Sequence, residues 1–401
     1  MAKTKKPEKV SKNAKVPADF TSDLIKSLNK DHGSRIAFNL SVDESPTHIN
    51  KWVSTGIRQL DYTISNRRNG GMPCGRIIEV FGPPSIGKSH LAYQVARSTQ
   101  AMGGIVIYVD TENATSIELL ESLGINIKKQ FVFVETACTE EVFAVTESTI
   151  MKAKALDKDV PITIIWDSVA ASSPKAELIG DYDQNSIGLQ ARAISKGMRK
   201  ITQIIGATNT LWLILNQTRT KIGVLYGDPT TTSGGMAIPF HSSVRIKLGA
   251  GSQIKNKDGD IIGINVSAKT IKNKVAPPFR TCHFEIHFGV GIKEHEQITD
   301  LLRAANDVEL EGKTYSVEGS GAWKTLSVMD TKTGELLVEK KFTKSGMEEL
   351  LNSKEYLPYI ETMLDQTLIK QYSNNLDLDI DTDAYEEVRA VAMELAEEEL
   401  K

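Results

Sequence analysis

Apolar and polar positions fall into three textures along the chain. Between residues 76 and 217, short apolar and β-branched runs at 76–81, 105–110, 131–134, 162–167 and 211–217 alternate with segments of helical period. One such segment, 90–102, carries Leu91, Val95 and Met102 on a single stripe and is stopped by Gly103-Gly104; another repeats Ile194, Met198, Ile201 and Ile205. Buried strands spaced by helices predict βαβ units and a mainly parallel sheet, with ligands expected at the carboxyl ends of the strands. After Ser242 the runs 243–249, 263–274 and 282–288 alternate apolar and polar residues, with a Lys257-Asp258-Gly259-Asp260 turn between the first two. This predicts antiparallel sheet closing the domain's edge. From Gly291 a smaller module follows, with helices expected at 297–305, 346–351 and 357–369 around Trp323 and the 332–338 region. Ahead of all of these, 19–28 reads as a short amphipathic helix with Phe20, Leu24, Ile25 and Leu28 on one side. A free-standing apolar face needs a cover, from its own domain or from a neighbouring subunit. The expected architecture is α/β, with a mainly parallel central sheet, an antiparallel edge, an N-terminal helical arm and a small C-terminal α+β domain. Its parts are 1–48, 49–290, 291–373 and 374–401.

Composition adds little to this, and charge adds a contrast. With 401 residues, 40% of them apolar and 25% charged, the chain has the make-up of a folded, soluble protein of two or three domains. No apolar run approaches a membrane span, and the basic residues 1–16 precede no apolar segment of a secretory signal. The expectation is a cytoplasmic protein with no membrane partner. Cys74, Cys138 and Cys282 are far apart and show no C-x-x-C pairing, which argues against disulfides or a zinc site and for small buried hydrophobes. The net charge of −3 conceals two opposed ends: six lysines against one glutamate over 1–15, and ten acidic against two basic side chains over 374–401. The body between them is near neutral, so total charge neither supports nor excludes a polyanionic partner.

One stretch carries specific chemistry. Gly82-Pro83-Pro84-Ser85-Ile86-Gly87-Lys88-Ser89 fits G-x-x-x-x-G-K-[ST] at every position, between an apolar run and a helical segment. That order turns backbone N–H groups and a helix N-terminus toward an anion, and the ligand expected is a nucleoside triphosphate with Mg2+. Lys88 supplies a cation to the β and γ oxygens, Ser89 offers its hydroxyl to the metal, and Asp167, closing the run 162–167, has the form of the acid that orients it. Glu112, just beyond the run 105–110, can take a proton from an attacking water, although a solvated loop glutamate would look the same in sequence. Gln217 ends another run and can hydrogen-bond a γ-phosphate. The long segment that begins beside it, 218–236, holds Gly223, Gly227, Gly234, Gly235, a hydroxyl run at 230–233, Arg219, Lys221 and the apolar Ile222. It reads as a functional loop, suited to phosphate contacts and to a wedge between bases. A second loop, 178–188, opens the helix that bears Arg192, Lys196, Arg199 and Lys200, with the cations facing away from the apolar stripe. A solvated basic face has the same composition.

Together these stretches resemble bacterial RecA and its phage-encoded relatives. The likeness runs through the P-loop, Trp166-Asp167-Ser168-Val169-Ala170-Ala171, Pro174-Lys175-Ala176-Glu177, Gly188-Leu189-Gln190-Ala191-Arg192, Met198-Arg199-Lys200 and Leu215-Asn216-Gln217. It continues through Lys221-Ile222-Gly223-Val224, 231–235, Ser243-Val244-Arg245 and Lys272-Asn273-Lys274-Val275-Ala276-Pro277, covering 49–302 in order. The resemblance implies a RecA-like P-loop ATPase core and a recombinase that polymerises on single-stranded DNA with ATP, pairs it with a homologous duplex and exchanges strands. It makes Glu112 the catalytic glutamate and Gln217 the γ-phosphate sensor, and it casts Lys272 and Lys274 as lysines that reach a neighbouring protomer's ATP. It implies a DNA-contacting set of Ile187, Gly188, Arg192, Ser195, Arg199, Arg219, Lys221, Ile222, Gly234 and Gly235, with Ile187 and Ile222 separating base triplets. The 19–28 helix becomes the arm that packs on the next protomer in an open helical filament, and the acidic end becomes a restraint on duplex access. Single-strand-binding and loader proteins are further partners on this reading. The chain departs from the family at Ser116 and Leu119, where an acidic residue and a tyrosine commonly face adenine, and at Pro84, Ile86 and Pro239. A hexameric helicase or branch-migration motor on the same core is the rival; it would normally add a helicase-associated or zinc-bearing domain, and none is legible. A non-hydrolysing scaffold is opposed by Lys88, Glu112 and Asp167.

Overall fold

The computed structural model of the chain describes residues 20–40, 48–181, 188–220, 230–305 and 307–371. The lysine-rich start, Ile187, Lys221, Ile222 and the acidic end at 374–401 lie outside the described residues. Two compact units are present, one drawn from 1–56, 72–250 and 289–291, the other from 57–71, 251–288 and 292–401.

The first unit opens with α1 (Phe20–Asp31) and β1 (Trp52–Val53); the chain then lends α2 (Arg58–Ser65) to the second unit before β2 (Met72–Pro73) pairs with β1. The βαβ series follows: β3 (Ile77–Gly82), α3 (Lys88–Ala101), β4 (Ile105–Asp110), α4 (Ile117–Ser122), β5 (Phe131–Glu135), α5 (Thr139–Leu156) and β6 (Ile162–Asp167). After α6 (Lys175–Leu178) and α7 (Leu189–Thr208) come β7 (Thr210–Thr220), β8 (Thr230–Thr232), α8 (Ala237–His241) and β9 (Val244–Lys255). Strands β9, β3, β7, β6, β4 and β5 lie side by side in that order, and every neighbouring pair is parallel. Central strands of such a sheet are covered on both faces, which is why β3 and β6 are buried at every residue and are largely apolar, Glu79 of β3 and Thr163 of β6 being the polar residues inside them.

The helices bury the faces the sequence pattern assigned them. On α7 the buried residues are Ile194, Met198, Ile201 and Ile205. They join a core with Trp166 and Trp212, whose rings stack 6.0 Å apart, while Phe143 of α5 stands edge-on to both. Gly197 makes this approach possible, because a Cβ there would sit 2.5 Å from the Phe143 ring. Leu91, Ala92, Val95 and Ala96 of α3 are fully buried. By contrast, no residue of α1 is buried, and Phe20 is 53% exposed. Among the described residues no helix is long and apolar enough to cross a membrane.

Two features differ from the sequence pattern. The alternating run at 243–249, expected within the antiparallel edge, also extends the parallel sheet: β9 is parallel to β3 from Ile78↔Val244 to Phe81↔Lys247. Alternation records a strand covered on one face and says nothing of its direction; the return from β7 through β8 and α8 is long enough for a parallel crossover. Within 218–236, residues 218–220 and 230–232 are strand. Thr218↔Thr232, Arg219↔Thr231 and Thr220↔Thr230 pair antiparallel, closing a hairpin of β7 and β8.

In the second unit β10 (Ile261–Asn273) and β11 (Thr281–His287) pair antiparallel, as their alternation predicts. Beyond β12 (Gly291–Lys293) and α9 (His295–Ala304), strands β13 (Val308–Leu310), β14 (Lys313–Glu318), β15 (Trp323–Asp330) and β16 (Leu336–Thr343) form an antiparallel sheet in chain order. With α10 (Met347–Asn352) and α11 (Leu357–Leu368) it encloses a core that includes Ile298, Leu302, Leu326, Val328, Phe342, Ile360 and Met363. Polar pairs fasten α2 to this unit: Arg58 to Glu294 at 2.9 Å, and the Tyr62 hydroxyl donating to Asp365 at 2.6 Å. Cys74, Cys138 and Cys282 are buried free thiols, and burial pushes Cys74 up to about 11.

Candidate functional site

Between β3 and α3 the chain must turn sharply without crowding. Ser85 (φ 57°) and Gly87 (φ 91°) take left-handed conformations, and a Cβ on Gly82 would lie 2.7 Å from the Leu248 carbonyl oxygen. Pro83, Pro84 and Ser85 are exposed, whereas Ile86 turns inward and is buried, pinning the loop. Lys88, the first residue of α3, is buried and donates from Nζ to the carbonyls of Gly82 at 3.2 Å and Pro83 at 2.7 Å. Burial holds its pKa below the ordinary lysine value, against the opposing pull of Asp167 and Glu112. An ammonium in poor solvent, beside the N-terminus of a fourteen-residue helix, is a site made for a polyanion.

Strand order gathers the remaining groups. Gly82 lies in register with Gln217, and Asp110 with Asp167, so the carboxyl ends of β3, β6 and β4 and the Gln217 position of β7, three residues before its end, come together. Asp167 Oδ2 accepts two hydroxyl hydrogen bonds, from Ser89 at 2.7 Å and from Tyr108 at 2.6 Å. Burial raises its pKa above the ordinary carboxylate value, and the charges of Glu112 and Asp110 add to the rise. A hydroxyl and a carboxylate are hard oxygen donors of the kind Mg2+ takes alongside waters and phosphate oxygens, so the residues present fit that ion.

The raised Asp167 has a thermodynamic consequence. A carboxyl whose folded value lies above its unfolded one destabilises the fold at neutral pH, and this effect vanishes as pH falls below the ordinary carboxylate range near ~3.9. Asp167→Asn keeps an oxygen for Ser89 and Tyr108 while removing the buried charge. In the absence of ligand it should unfold a few degrees above wild type at pH 7 to 8, with the gap closing in acid. Calorimetry across pH checks this; an unchanged or lower midpoint would show that burial of the charge does not set the balance.

Glu112 stands on a turn that Asp110 builds. The Asp110 carboxylate accepts from the backbone N–H groups of Glu112 (2.9 Å), Asn113 (2.8 Å), Ala114 (3.2 Å) and Thr115 (3.1 Å). Thr111 adds a bond from its hydroxyl to the Ser168 carbonyl at 2.7 Å. So positioned, Glu112 Oε1 accepts from the Ser168 hydroxyl and, at 3.1 Å, from Gln217 Nε2. The two residues that sequence reading singled out as proton acceptor and phosphate sensor are thus in direct contact. Sequence reading gave no role to Ser168 or Tyr108; the signal for Tyr108 was its place two residues before Asp110, on the same face of β4. At the departing position, Ser116 caps α4, its hydroxyl accepting the Leu119 N–H at 3.2 Å.

Of the candidate DNA contacts, Gly188 (φ 75°) caps the start of α7, and Arg192 and Arg199 stand exposed on the face away from the buried stripe. Arg199 donates to Ser195 Oγ at 3.0 Å, and Lys200 is paired with Glu147 at 2.6 Å. Arg219 is exposed on β7. Gly234 and Gly235 are left-handed and close-packed: a Cβ would lie 2.7 Å from the Ile194 side chain and 3.0 Å from that of Ala191, respectively. They bring the turn after β8 onto α7, so the exposed cations of α7 and the hairpin belong to one unit. Lys272, near the end of β10, and Lys274, just beyond it, belong to the second unit.

Residues 20–293 match the family described as the RecA N-terminal domain. Protein RecA of Bdellovibrio bacteriovorus is 38% identical over 314 residues, covering 77% of this chain and 80% of that protein. Protein RecA of Bordetella avium is 36% identical over 313 residues (78% and 85%), and that of Chloroherpeton thalassium 39% over 295 residues (73% and 79%).

Proposed function

The chain belongs to the RecA family, and from that membership and the geometry above we infer an ATP-dependent recombinase. It is a DNA-dependent ATPase that forms a filament on single-stranded DNA, pairs it with a homologous duplex and exchanges strands. The observation that carries the reading is the contact of Glu112 with Gln217 beside Lys88, Ser89 and Asp167, at the carboxyl ends of adjacent strands.

On this reading Gly82 to Ser89 hold the phosphates, with Lys88 on the β and γ oxygens. Ser89 and Asp167 would hold Mg2+, which when bound neutralises phosphate charge. Glu112 accepts the proton of the attacking water. Gln217 Nε2 is a donor with two possible acceptors, Glu112 or a γ-phosphate oxygen; transfer to the phosphate frees Glu112 for the water and pulls on the strand that leads into the hairpin. Lys272 and Lys274 act on a neighbouring protomer's ATP, and α1, whose apolar face is uncovered, is the arm that joins protomers. Residues 49–290 are the ATPase core, and the exposed cations of α7 and the β7–β8 hairpin line the DNA path. A cytoplasmic location and partnership with single-strand-binding and loader proteins complete the proposal.

The test combines turnover, imaging and exchange. ATP hydrolysis should rise strongly with single-stranded DNA, electron micrographs with ATP and Mg2+ should show helical polymers, and a labelled single strand should replace its counterpart in a homologous duplex. Turnover indifferent to DNA, or closed rings alone, would overturn the reading in favour of a motor.

A further inference from the structure

Behind Gln217 lies a buried charge that the reading above leaves unused. Glu79, in the middle of β3, is 0% exposed. Its Oε1 accepts from Asn216 Nδ2 at 3.0 Å and its Oε2 from Arg245 Nε at 2.5 Å. Arg245, on β9, holds its guanidinium 4.8 Å from the Phe81 ring centroid and reaches Thr232 Oγ1 at 3.5 Å. Asn216 is as buried as Glu79; its Nδ2 also donates to the Ser233 carbonyl at 3.0 Å, and its Oδ1 accepts the Gln217 N–H at 2.9 Å. Three neighbouring strands, β9, β3 and β7, therefore meet in one charged knot. Its outer members are the backbone of Gln217 and the Thr232–Ser233 end of the hairpin, and Glu79 stands three residues before the first P-loop glycine.

A buried ion pair is a poor device for stability alone, since well-packed apolar residues often serve as well, and in some proteins such a pair fixes one arrangement instead. We propose that Asn216, Glu79 and Arg245 are positioning residues that lock the Gln217 backbone and the base of the β7–β8 hairpin into one body. A change of partner at the Gln217 side chain then moves the hairpin instead of dissipating in β7. The inference rests on Gln217 as the γ-phosphate sensor.

The test uses the full chain with ATP, Mg2+ and a single-stranded oligonucleotide, and reads the ratio of DNA-stimulated to DNA-free kcat. Glu79→Gln and Arg245→Met should each lower that ratio by about tenfold or more. Arg245→Lys should recover part of it, because the charge returns without the planar fork. Removing one partner strands the other charge in the core and can unfold the protein, so the paired Glu79→Gln/Arg245→Met variant is measured beside them. It should melt close to wild type and still lose the ratio. A merely structural role predicts the reverse, a lowered midpoint with the ratio intact, and a normal ratio in the folded double variant overturns the proposal. Gln217→Ala separates the two failures. If it collapses the ratio while the double variant does not, the knot alone is misread; if it leaves the ratio intact, the sensor reading fails and the knot inference with it.

Discussion

Glu112→Gln should leave ATP bound and remove its DNA-stimulated hydrolysis, with kcat lower by about a hundredfold to ten-thousandfold. The substitution is close to a surgical one in this site. Glu112 Oε1 accepts from Ser168 and from Gln217, and a glutamine oxygen in the same place accepts both, so the turn built by Asp110 has no reason to move. Only the capacity to take a proton is lost. Equilibrium binding of a fluorescent nucleotide should therefore stay near wild type while steady-state turnover on single-stranded DNA collapses, and polymers formed with ATP should outlast those of wild type. A variant that turns over normally would reduce Glu112 to a turn residue and leave the chemistry without a base.

That contact spans 105 residues, and its two halves were legible separately but not together. The runs at 105–110 and 162–167 appear in the fold with the same bounds, because a central parallel strand is apolar on both faces and ends where a polar group is needed. The stripe of α7 was equally plain, since its four apolar residues recur at helical spacing and all four are buried. Strand order is another matter. Nothing in the runs says that β7 lies between β3 and β6, yet that order sets Gln217 beside Gly82 and within reach of Glu112.

Polar strand ends were the harder class. In the fold Asp110 and Asn216 both serve the backbone, Asp110 through four N–H groups and Asn216 through Gln217 and Ser233. A carboxylate or amide at such a position satisfies whichever donors the turn leaves open, which composition cannot reveal. Glu79 was a signal left unread. A lone acid inside an apolar run must have a partner, but the partner stands 166 residues away. The threonines at 230–232 were read for their hydroxyls when their β-branching also marked a strand.

Lys88→Ala should weaken ATP binding by about tenfold to a hundredfold, the worth of a charge-assisted hydrogen bond to phosphate, and should abolish polymers and turnover with it. The residue is held ready at some cost to the fold. Its ammonium is buried with two carbonyls for company, and burial sets its pKa below the ordinary lysine value. A lowered lysine disfavours the fold at pH below its folded value, and that effect fades as pH climbs from there toward the unfolded value near ~10.4. Stability without ligand should thus rise through that window in wild type and stay flatter in Lys88→Ala, whose midpoint at neutral pH should equal or exceed that of wild type. ATP reverses the preference, because phosphate oxygens favour the charged form, so affinity should fall over the same window in wild type alone. Titration calorimetry and melting curves across pH read both trends, and an alanine variant that binds ATP within twofold of wild type would remove Lys88 from the phosphates. Compared with Glu112→Gln, which keeps the nucleotide and loses the reaction, this variant loses the nucleotide first, and the pair together separates what holds ATP from what cleaves it.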